Sequence, residues 1–312
     1  MQHLLSFTVY DDRSTLGPDP GATLGSIGAD GVELLTSYSV PDPWYRGIAR
    51  AVHLPYATDW LAAWEGRPYD MDGDSSRFYM FGRDRDEVIG SVSEAIRCAA
   101  VLEPAYGVFH AGNGDIRELI SRGSSLDDGR VIDAYAEMVN SVVAGFPGGE
   151  PPFRILFENL WWPGLKLTDG RDFRRLESRI EFGNWGICLD TGHMMNCLPD
   201  IVTEQDGIDA LEGIFSRYPD DLIDRVVTVH LHWSASYPYR SSFEERRPGD
   251  DIMAFITQAY GHISSIDQHM PFDDPRCLRL TDILKPEFVT HEMPGSKAGM
   301  LEDFRTQRSL FP

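Results

Sequence analysis

Asp190 and His193 close the stretch Trp185-Gly186-Ile187-Cys188-Leu189-Asp190-Thr191-Gly192-His193, where a short apolar run stops abruptly at a carboxylate and an imidazole. A carboxylate oxygen and an imidazole nitrogen at the end of a buried strand are donors that a divalent metal accepts. The same grammar recurs at Ala51-Val52-His53-Leu54-Pro55-Tyr56, at Tyr106-Gly107-Val108-Phe109-His110 and at Phe153-Arg154-Ile155-Leu156-Phe157-Glu158-Asn159. It continues in Val226-Val227-Thr228-Val229-His230-Leu231-His232 and Phe288-Val289-Thr290-His291-Glu292. Each run of apolar or β-favouring residues stops at His, Glu or Asp, and each stop reads as a turn. Seven of the nine histidines lie at such ends or in Asp267-Gln268-His269, and His3 and His262 stand apart.

The elements that must position these groups follow from periodicity. Strands are expected near residues 4–9, 31–35, 50–54, 106–110, 153–158, 185–190, 225–231 and 287–292. Apolar residues at helical spacing predict helices over Asp86–Leu102, Val131–Val143, Asp169–Ile180, Thr203–Arg217 and Gly299–Ser309. Eight strands alternating with helices imply a parallel sheet closed into a (β/α)8 TIM barrel. The expectation is an α/β protein with one barrel domain over residues 1–312. A long insertion after strand 7, about 233–266, begins rich in aromatic and arginine residues and turns helical from Asp251 to Tyr260. A second stretch outside a minimal barrel runs from Glu65 to Arg83. Long inserts of this kind commonly serve as lids.

All strands of a parallel barrel end on one face, so His53, His110, Glu158, Asp190, His193, His230 and Glu292 are expected to converge there. A lone strand-end histidine is more often a hydrogen-bonded rim residue, but seven such groups in register are not explained that way. Unpaired acids at one mouth repel one another, and Zn²⁺ or Mn²⁺ would resolve the repulsion. His232 and His291 are read as facing away from His230 and Glu292, as packing or supporting groups, and Cys188 as core. Trp161, Trp233 and His232 are the candidate substrate contacts, with Trp162 beside Trp161. Gly112-Asn113-Gly114-Asp115 lacks the spacing and lysine of a phosphate loop and reads as a turn. Arg246-Arg247 reads as a solvated pair that would meet an anionic substrate only if the insertion folds over the mouth. There is no Gly-x-Ser-x-Gly elbow to support a serine nucleophile.

Composition sets outer limits. With 312 residues, 42% of them hydrophobic, the chain can bury the core of a barrel that commonly needs about 250 residues. A net charge of −21 disfavours a phosphate backbone as partner without excluding it, since a basic patch or bound cations can reverse the local field. Cys98, Cys188, Cys197 and Cys277 show no CxxC spacing, which fits free thiols and a cytoplasmic setting. Neither a signal segment nor an apolar run long enough to span a bilayer is visible, so no membrane role is expected.

With these residues in place, the chain resembles the TIM-barrel superfamily that holds endonuclease IV (AP endonuclease family 2) and the xylose isomerase-like sugar isomerases and epimerases. His53-Leu54-Pro55-Tyr56 resembles the His-x-Pro-Tyr motif of endonuclease IV, and Phe109-His110-Ala111-Gly112 its Phe-His-Pro-Gly with alanine for proline. Glu158-Asn159 matches Glu-Asn, and Leu189-Asp190-Thr191-Gly192-His193 matches Leu-Asp-Thr-x-His. His230-Leu231 resembles the start of His-Leu-Asn-Asp, Glu292 the glutamate ending the last strand, and Asp267-Gln268-His269 the Asp-x-His motif. The resemblance thus implies nine metal ligands: His53, His110, Glu158, Asp190, His193, His230, Asp267, His269 and Glu292. Two signatures depart, since His-Leu-Asn-Asp continues here as His232-Trp233-Ser234, and Leu160-Trp161-Trp162-Pro163-Gly164 replaces a Gly-rich segment.

The resemblance leaves three functions open. The first is a sugar or sugar-phosphate isomerase or epimerase with one cation on Glu158, Asp190, His230 and Glu292. Its metal would stabilise an enediolate while Glu158 and Glu292 exchange the proton as catalytic acid and base. The second is an endonuclease IV-like phosphoester hydrolase with up to three zinc ions, favoured by His53 and His110, which a one-metal isomerase does not require. The third is a metal-binding protein without catalysis. One to three divalent ions, Zn or Mn, and a small-molecule sugar or sugar phosphate are the expected cofactor and partner.

Overall fold

The apolar runs form eight parallel strands that close in sequence order, β1 to β8, in a computed structural model describing residues 1–67, 80–115, 118, 120, 123–245, 252–293 and 299–312. They are β1 Gln2–Thr8, β2 Gly31–Leu35, β3 Ala49–His53, β4 Tyr106–His110, β5 Arg154–Glu158, β6 Trp185–Asp190, β7 Val226–His230 and β8 Phe288–His291. Each lies within two residues of its expected bounds at either end.

The helices are α1 Pro20–Ile27, α2 Leu61–Trp64, α3 Arg85–Ala100, α4 Asp128–Val143, α5 Gly170–Glu177 and α6 Thr191–Cys197. They continue with α7 Glu204–Phe215, α8 Asp220–Ile223, α9 Tyr237–Ser242, α10 Ile252–Ile266, α11 Leu278–Leu284 and α12 Met300–Arg308. Helix α10 runs six residues past the Tyr260 expected as its end. The short helices α1, α2, α6, α8, α9 and α11 were not expected; α1 and α6 carry side-chain caps and the other four have none. For α1, the Asp19 side chain accepts from Ala22 N, Pro20 opens the helix, and Gly28 stops it in the left-handed conformation at φ 80°. Arg246-Arg247 and most of the Glu65–Arg83 stretch lie outside the described residues.

Alternation along each strand divides the core. Side chains such as Phe7, Leu34, Val52, Phe109, Phe157, Leu189 and Val289 face outward and pack with the helices in the main apolar cluster. Leu4, Ala51, Tyr106, Val108, Leu156, Cys188 and Phe288 form a smaller cluster inside the barrel. One further step of two residues leads from Ala51 to His53, from Val108 to His110, from Leu156 to Glu158 and from Cys188 to Asp190. Each of these inward rows therefore ends in a donor at the same rim. Register sets opposite types side by side, His110 against Glu158 and Asp190 against His230. Truncating an outward anchor such as Phe157, fully buried, to alanine is expected to cost about 3–5 kcal/mol.

Candidate metal centre

Local hydrogen bonding fixes the donors before any ligand is considered. At the β5 end, the Asn159 side chain accepts from Asp190 N at 2.8 Å and donates to Asp190 O at 2.9 Å, tying β5 to β6. Its carbonyl accepts from His193 Nδ1 at 2.9 Å. The stop at Asp190 is not a turn: β6 passes directly into α6, and Asp190 caps that helix by accepting from His193 N at 2.6 Å. A cap needs a side-chain oxygen at the first non-helical residue, and here that residue is also the strand end.

Five carboxylates (Glu33, Glu158, Asp190, Asp267, Glu292) and six imidazoles (His53, His110, His193, His230, His232, His269) meet at this rim. Glu158 lies at the centre. Its Oε2 is 3.3 Å from His53 Nε2 and 3.1 Å from His110 Nε2, whereas its Oε1 is 3.0 Å from His230 Nδ1 and 3.7 Å from His193 Nδ1. Asp190 Oδ2 is 2.9 Å from His232 Nε2, and Glu292 Oε1 is 3.3 Å from His230 Nδ1. Asp267 Oδ2 lies 3.0 Å from His193 Nε2 and 3.6 Å from His269 Nε2. His269, with φ 51°, sits in the left-handed region that non-glycine residues rarely adopt, a local strain of about 1–2 kcal/mol held beside Glu292 at 3.2 Å.

The donor set fits divalent cations, and two histidines show why. His53 and His193 each donate Nδ1–H to a backbone carbonyl, Leu54 O at 2.8 Å and Asn159 O at 2.9 Å. In the neutral ring the remaining nitrogen is then a lone pair. Both nevertheless point Nε2 at a carboxylate oxygen, Glu158 and Asp267 respectively. Two acceptors facing each other require a proton or a cation between them. His230 adds to this, because neither of its buried ring nitrogens makes an aligned hydrogen bond although carboxylate oxygens lie 2.8 and 3.0 Å away.

The electrostatics agree. Burial works against the charge of Glu158, yet His110 and His230 hold its carboxyl well below its ordinary range. Burial likewise opposes protonation of His193, and Asp190 and Asp267 override it and raise its pKa. For His269 the same opposition, won by Asp267 and Glu292, sets the pKa at about 9. Without cations, protonated imidazoles must balance the acids.

The structure brings all nine residues of the implied ligand set to this rim, and His232 joins them, correcting the reading that it faces away. His230 and His232 are two residues apart, which in an extended chain places them on the same side. His291, one residue from Glu292, does face outward and packs on Phe304 at 4.6 Å. Cys188 lies beneath His230 inside the barrel, where burial pushes its thiol pKa well above normal, consistent with a core role. Trp233 does not line the cavity above the donors; its indole donates to Pro271 O at 2.8 Å. Trp161 is likewise absent from that cavity and lines a second one, described below.

Glu33 escaped the sequence reading. It is buried in β2, accepts from Tyr106 OH at 2.7 Å and Thr290 Oγ1 at 2.8 Å, and lies 2.8 Å from His230 Nε2. The available signal was a glutamate inside the apolar run Val32-Glu33-Leu34-Leu35. Tyr56 also went unassigned; it is exposed at the rim and its ring stacks on His110 at 4.4 Å.

Above the donors lies a cavity of about 230 Å³, walled by Leu35, Tyr56, Trp162 and Met293 and roofed by Ala259, Tyr260 and Ile263 of α10. No lysine or arginine lines it among the described residues. The helical part of the insertion thus covers part of the mouth. No described helix is long and apolar enough to cross a membrane.

No protein-family model matches the chain, and no curated protein matches it. Among solved structures, endonuclease IV from Thermus thermophilus is similar at 15% identity over 99% of this chain and 98% of that chain, with a TM-score of 0.55. A D-tagatose 3-epimerase-like protein is similar at 13% identity over 99% and 97%, with a TM-score of 0.49. D-allulose 3-epimerase from Methylomonas sp., in complex with D-allulose, is similar at 11% identity over 100% and 96%, with a TM-score of 0.49. At such identities the likeness is one of fold. That fold is a closed (β/α)8 barrel, similar to that of endonuclease IV.

Proposed function

We propose that this protein is a hydrolase that cleaves a phosphoester of a compact molecule at a centre of two or three divalent cations. One observation carries the reading: the two oxygens of Glu158 face different imidazole pairs, His53 with His110 and His193 with His230. A carboxylate so placed could contribute one oxygen to each of two cations. His53, His110 and Glu158 would hold the first, Glu158, Asp190, His230, His232 and Glu292 the second, and His193, Asp267 and His269 a third. When bound, the cations supply Lewis acidity toward a phosphoryl oxygen and an attacking water. The chain's own residues do the rest. Tyr56, held by its stack on His110, would offer its phenol hydroxyl to the substrate. Ala259, Tyr260, Ile263 and Met293 exclude bulk water and limit the substrate to the size of the cavity. The roof and the net charge of −21 weigh against a DNA duplex.

The partly covered cavity, without a basic side chain to meet a phosphate, favours a second reading, the isomerase or epimerase of a neutral sugar. There Glu292, the more accessible of the two glutamates, would move the proton, since Glu158 is enclosed by four imidazoles. Elemental analysis of dialysed protein, with hydrolysis of 4-nitrophenyl phosphate and bis(4-nitrophenyl) phosphate, separates the two. Two or three zinc or manganese ions per chain with metal-dependent release of nitrophenol is the expected result. A single ion, with solvent deuterium entering a ketose and no phosphoester cleaved, would overturn it.

A further inference from the structure

A second cavity of about 540 Å³ shares Trp162 with the first, has Asp115, Glu118 and Asp128 among its lining residues, and is not used in the reading above. Its walls come from elements adjoining the barrel mouth, with Trp161 and Trp162 after β5, Asn196 on α6, Tyr237 and Arg240 on α9, and His262 on α10.

Three features of these walls point to one kind of ligand. Arg240 is half-buried and donates to Ser236 Oγ at 2.9 Å and Leu198 O at 2.8 Å, both neutral. Among the described residues no carboxylate forms an ion pair with it, so a partly desolvated guanidinium lines the cavity without a direct salt bridge, while Asp115, Glu118 and Asp128 stand elsewhere in the same lining. Lys166, also in the wall, is by contrast already neutralised by Asp128 at 2.8 Å. The second feature is a surplus of donors. Asn196 Nδ2, Trp161 Nε1 and Trp162 Nε1 are buried and make no hydrogen bond, although Asn196 Oδ1 accepts from Ser236 Oγ at 2.6 Å and fixes the amide. Buried N–H groups without acceptors are costly in a folded chain unless something brings the acceptors. The third feature is shape, since two indoles 5.0 Å apart and the Tyr237 ring offer flat apolar surface beside those donors.

We infer that this cavity is a second ligand site, which takes a planar aromatic molecule carrying one anionic group, with the ring against Trp161 and the anion on Arg240. The ring acceptors meet the unpartnered indole and amide N–H groups, and the guanidinium supplies a charge-assisted bond that a neutral analogue cannot make. The site is independent of the metal-dependent reaction proposed above, and its test does not use that reaction.

The test is calorimetric titration of the full-length, metal-loaded protein with adenosine 5′-monophosphate and with 4-aminobenzoate, the two arms separating phosphate from carboxylate. Adenosine and inorganic phosphate are the half-ligand controls. At least one of the anionic aromatics is expected to bind, at least tenfold more tightly than either half-ligand. Arg240→Gln is expected to weaken it tenfold or more, Arg240→Lys to retain most of the affinity, and Glu292→Gln to leave it unchanged. Loss of binding in Glu292→Gln with wild-type affinity in Arg240→Gln would assign the ligand to the metal cavity and overturn the inference. So would the absence of binding by both anionic aromatics. Equal losses in Arg240→Gln and Arg240→Lys, each with a lowered melting temperature, would assign Arg240 to holding Leu198 and overturn it equally.

Discussion

Glu33 shows how a side chain away from the reacting space governs the site. Its Oε1 lies 2.8 Å from His230 Nε2 while Nδ1 faces Glu158 and Glu292, a placement in which a carboxylate could orient the imidazole if it held a metal. Glu33→Gln is expected to weaken metal retention about 10–100-fold, read by competition with a chromogenic chelator. Unchanged affinity would remove Glu33 from the site. Gly192 acts through space rather than charge, since a Cβ there would run into the His232 ring. Gly192→Ala should therefore displace His232 and loosen the metal while the far-UV circular dichroism spectrum stays the same; wild-type metal affinity would show that the ring is free to move. Neither residue was assigned from sequence. Glu33 is a lone acid in an apolar run, and the fit of Gly192 to His232 joins residues 40 apart in sequence.

Among the elements, the junction of β6 and α6 carries two tasks on one side chain. Asp190 Oδ1 caps the helix, whereas Oδ2 faces His232. Asparagine caps as well as aspartate but carries no charge. Asp190→Asn is thus expected to keep the fold, with a stability change under about 1 kcal/mol, and to lose tight metal retention. Thermal melts and elemental analysis of the same sample check both halves; loss of the fold would mean that Asp190 is structural. Asn159 is the structural counterpart, because it pairs with both backbone groups of Asp190. Asn159→Leu leaves the buried Asp190 N–H without its side-chain acceptor, the carbonyl keeping its intrahelical bond, and should cost about 1–3 kcal/mol in urea unfolding. A cost under about 1 kcal/mol would mean that β5 and β6 are held by their ladder alone. Strands were legible to within two residues because their apolar runs end at polar stops. Short helices such as α6 and α11 were not, because a seven-residue helix offers less than two periods; α6 is set by its Asp190 cap and α11, which has no side-chain cap, by its packing.

At the scale of the whole molecule, β1 and β8 close the barrel through a histidine pair whose protonation sets a pH dependence. Gln307 Nε2 donates to His291 Nδ1 at 2.8 Å, so His291 Nε2–H donates to His3 Nδ1 at 3.0 Å, and both rings must be neutral. Burial, aided by Arg308, lowers the His3 pKa to about 4. The unfolded chain takes up that proton near the ordinary pKa of about 6.5, before the folded chain does, so the contribution is fully present above pH 6.5. It declines by about 3 kcal/mol as pH falls to about 4. Urea unfolding of wild type and His3→Gln between pH 7.5 and 4.5 checks this, with a flatter slope expected for the variant; parallel slopes would clear His3 of the effect. Metal acts on stability in the opposite sense. Cations that bind only the folded barrel should raise unfolding stability by about 2.7 kcal/mol at a hundredfold excess over Kd. The melting temperature should fall again on adding a chelator, and no change either way would argue against cations at the rim.

The sequence by itself determined the barrel, because alternating apolar strands with polar stops have few ways to bury both faces, and parallel closure brings every stop to one rim. It determined the donor types for the same reason. Tertiary structure alone decided which donors lie close enough together to share a cation, since that depends on strand register and on distances between side chains far apart in the chain. It also decided that His232 joins the site, that Glu158 faces two imidazole pairs at once, and that α10 covers part of the mouth. Those facts belong to contacts across the barrel, which local periodicity does not encode.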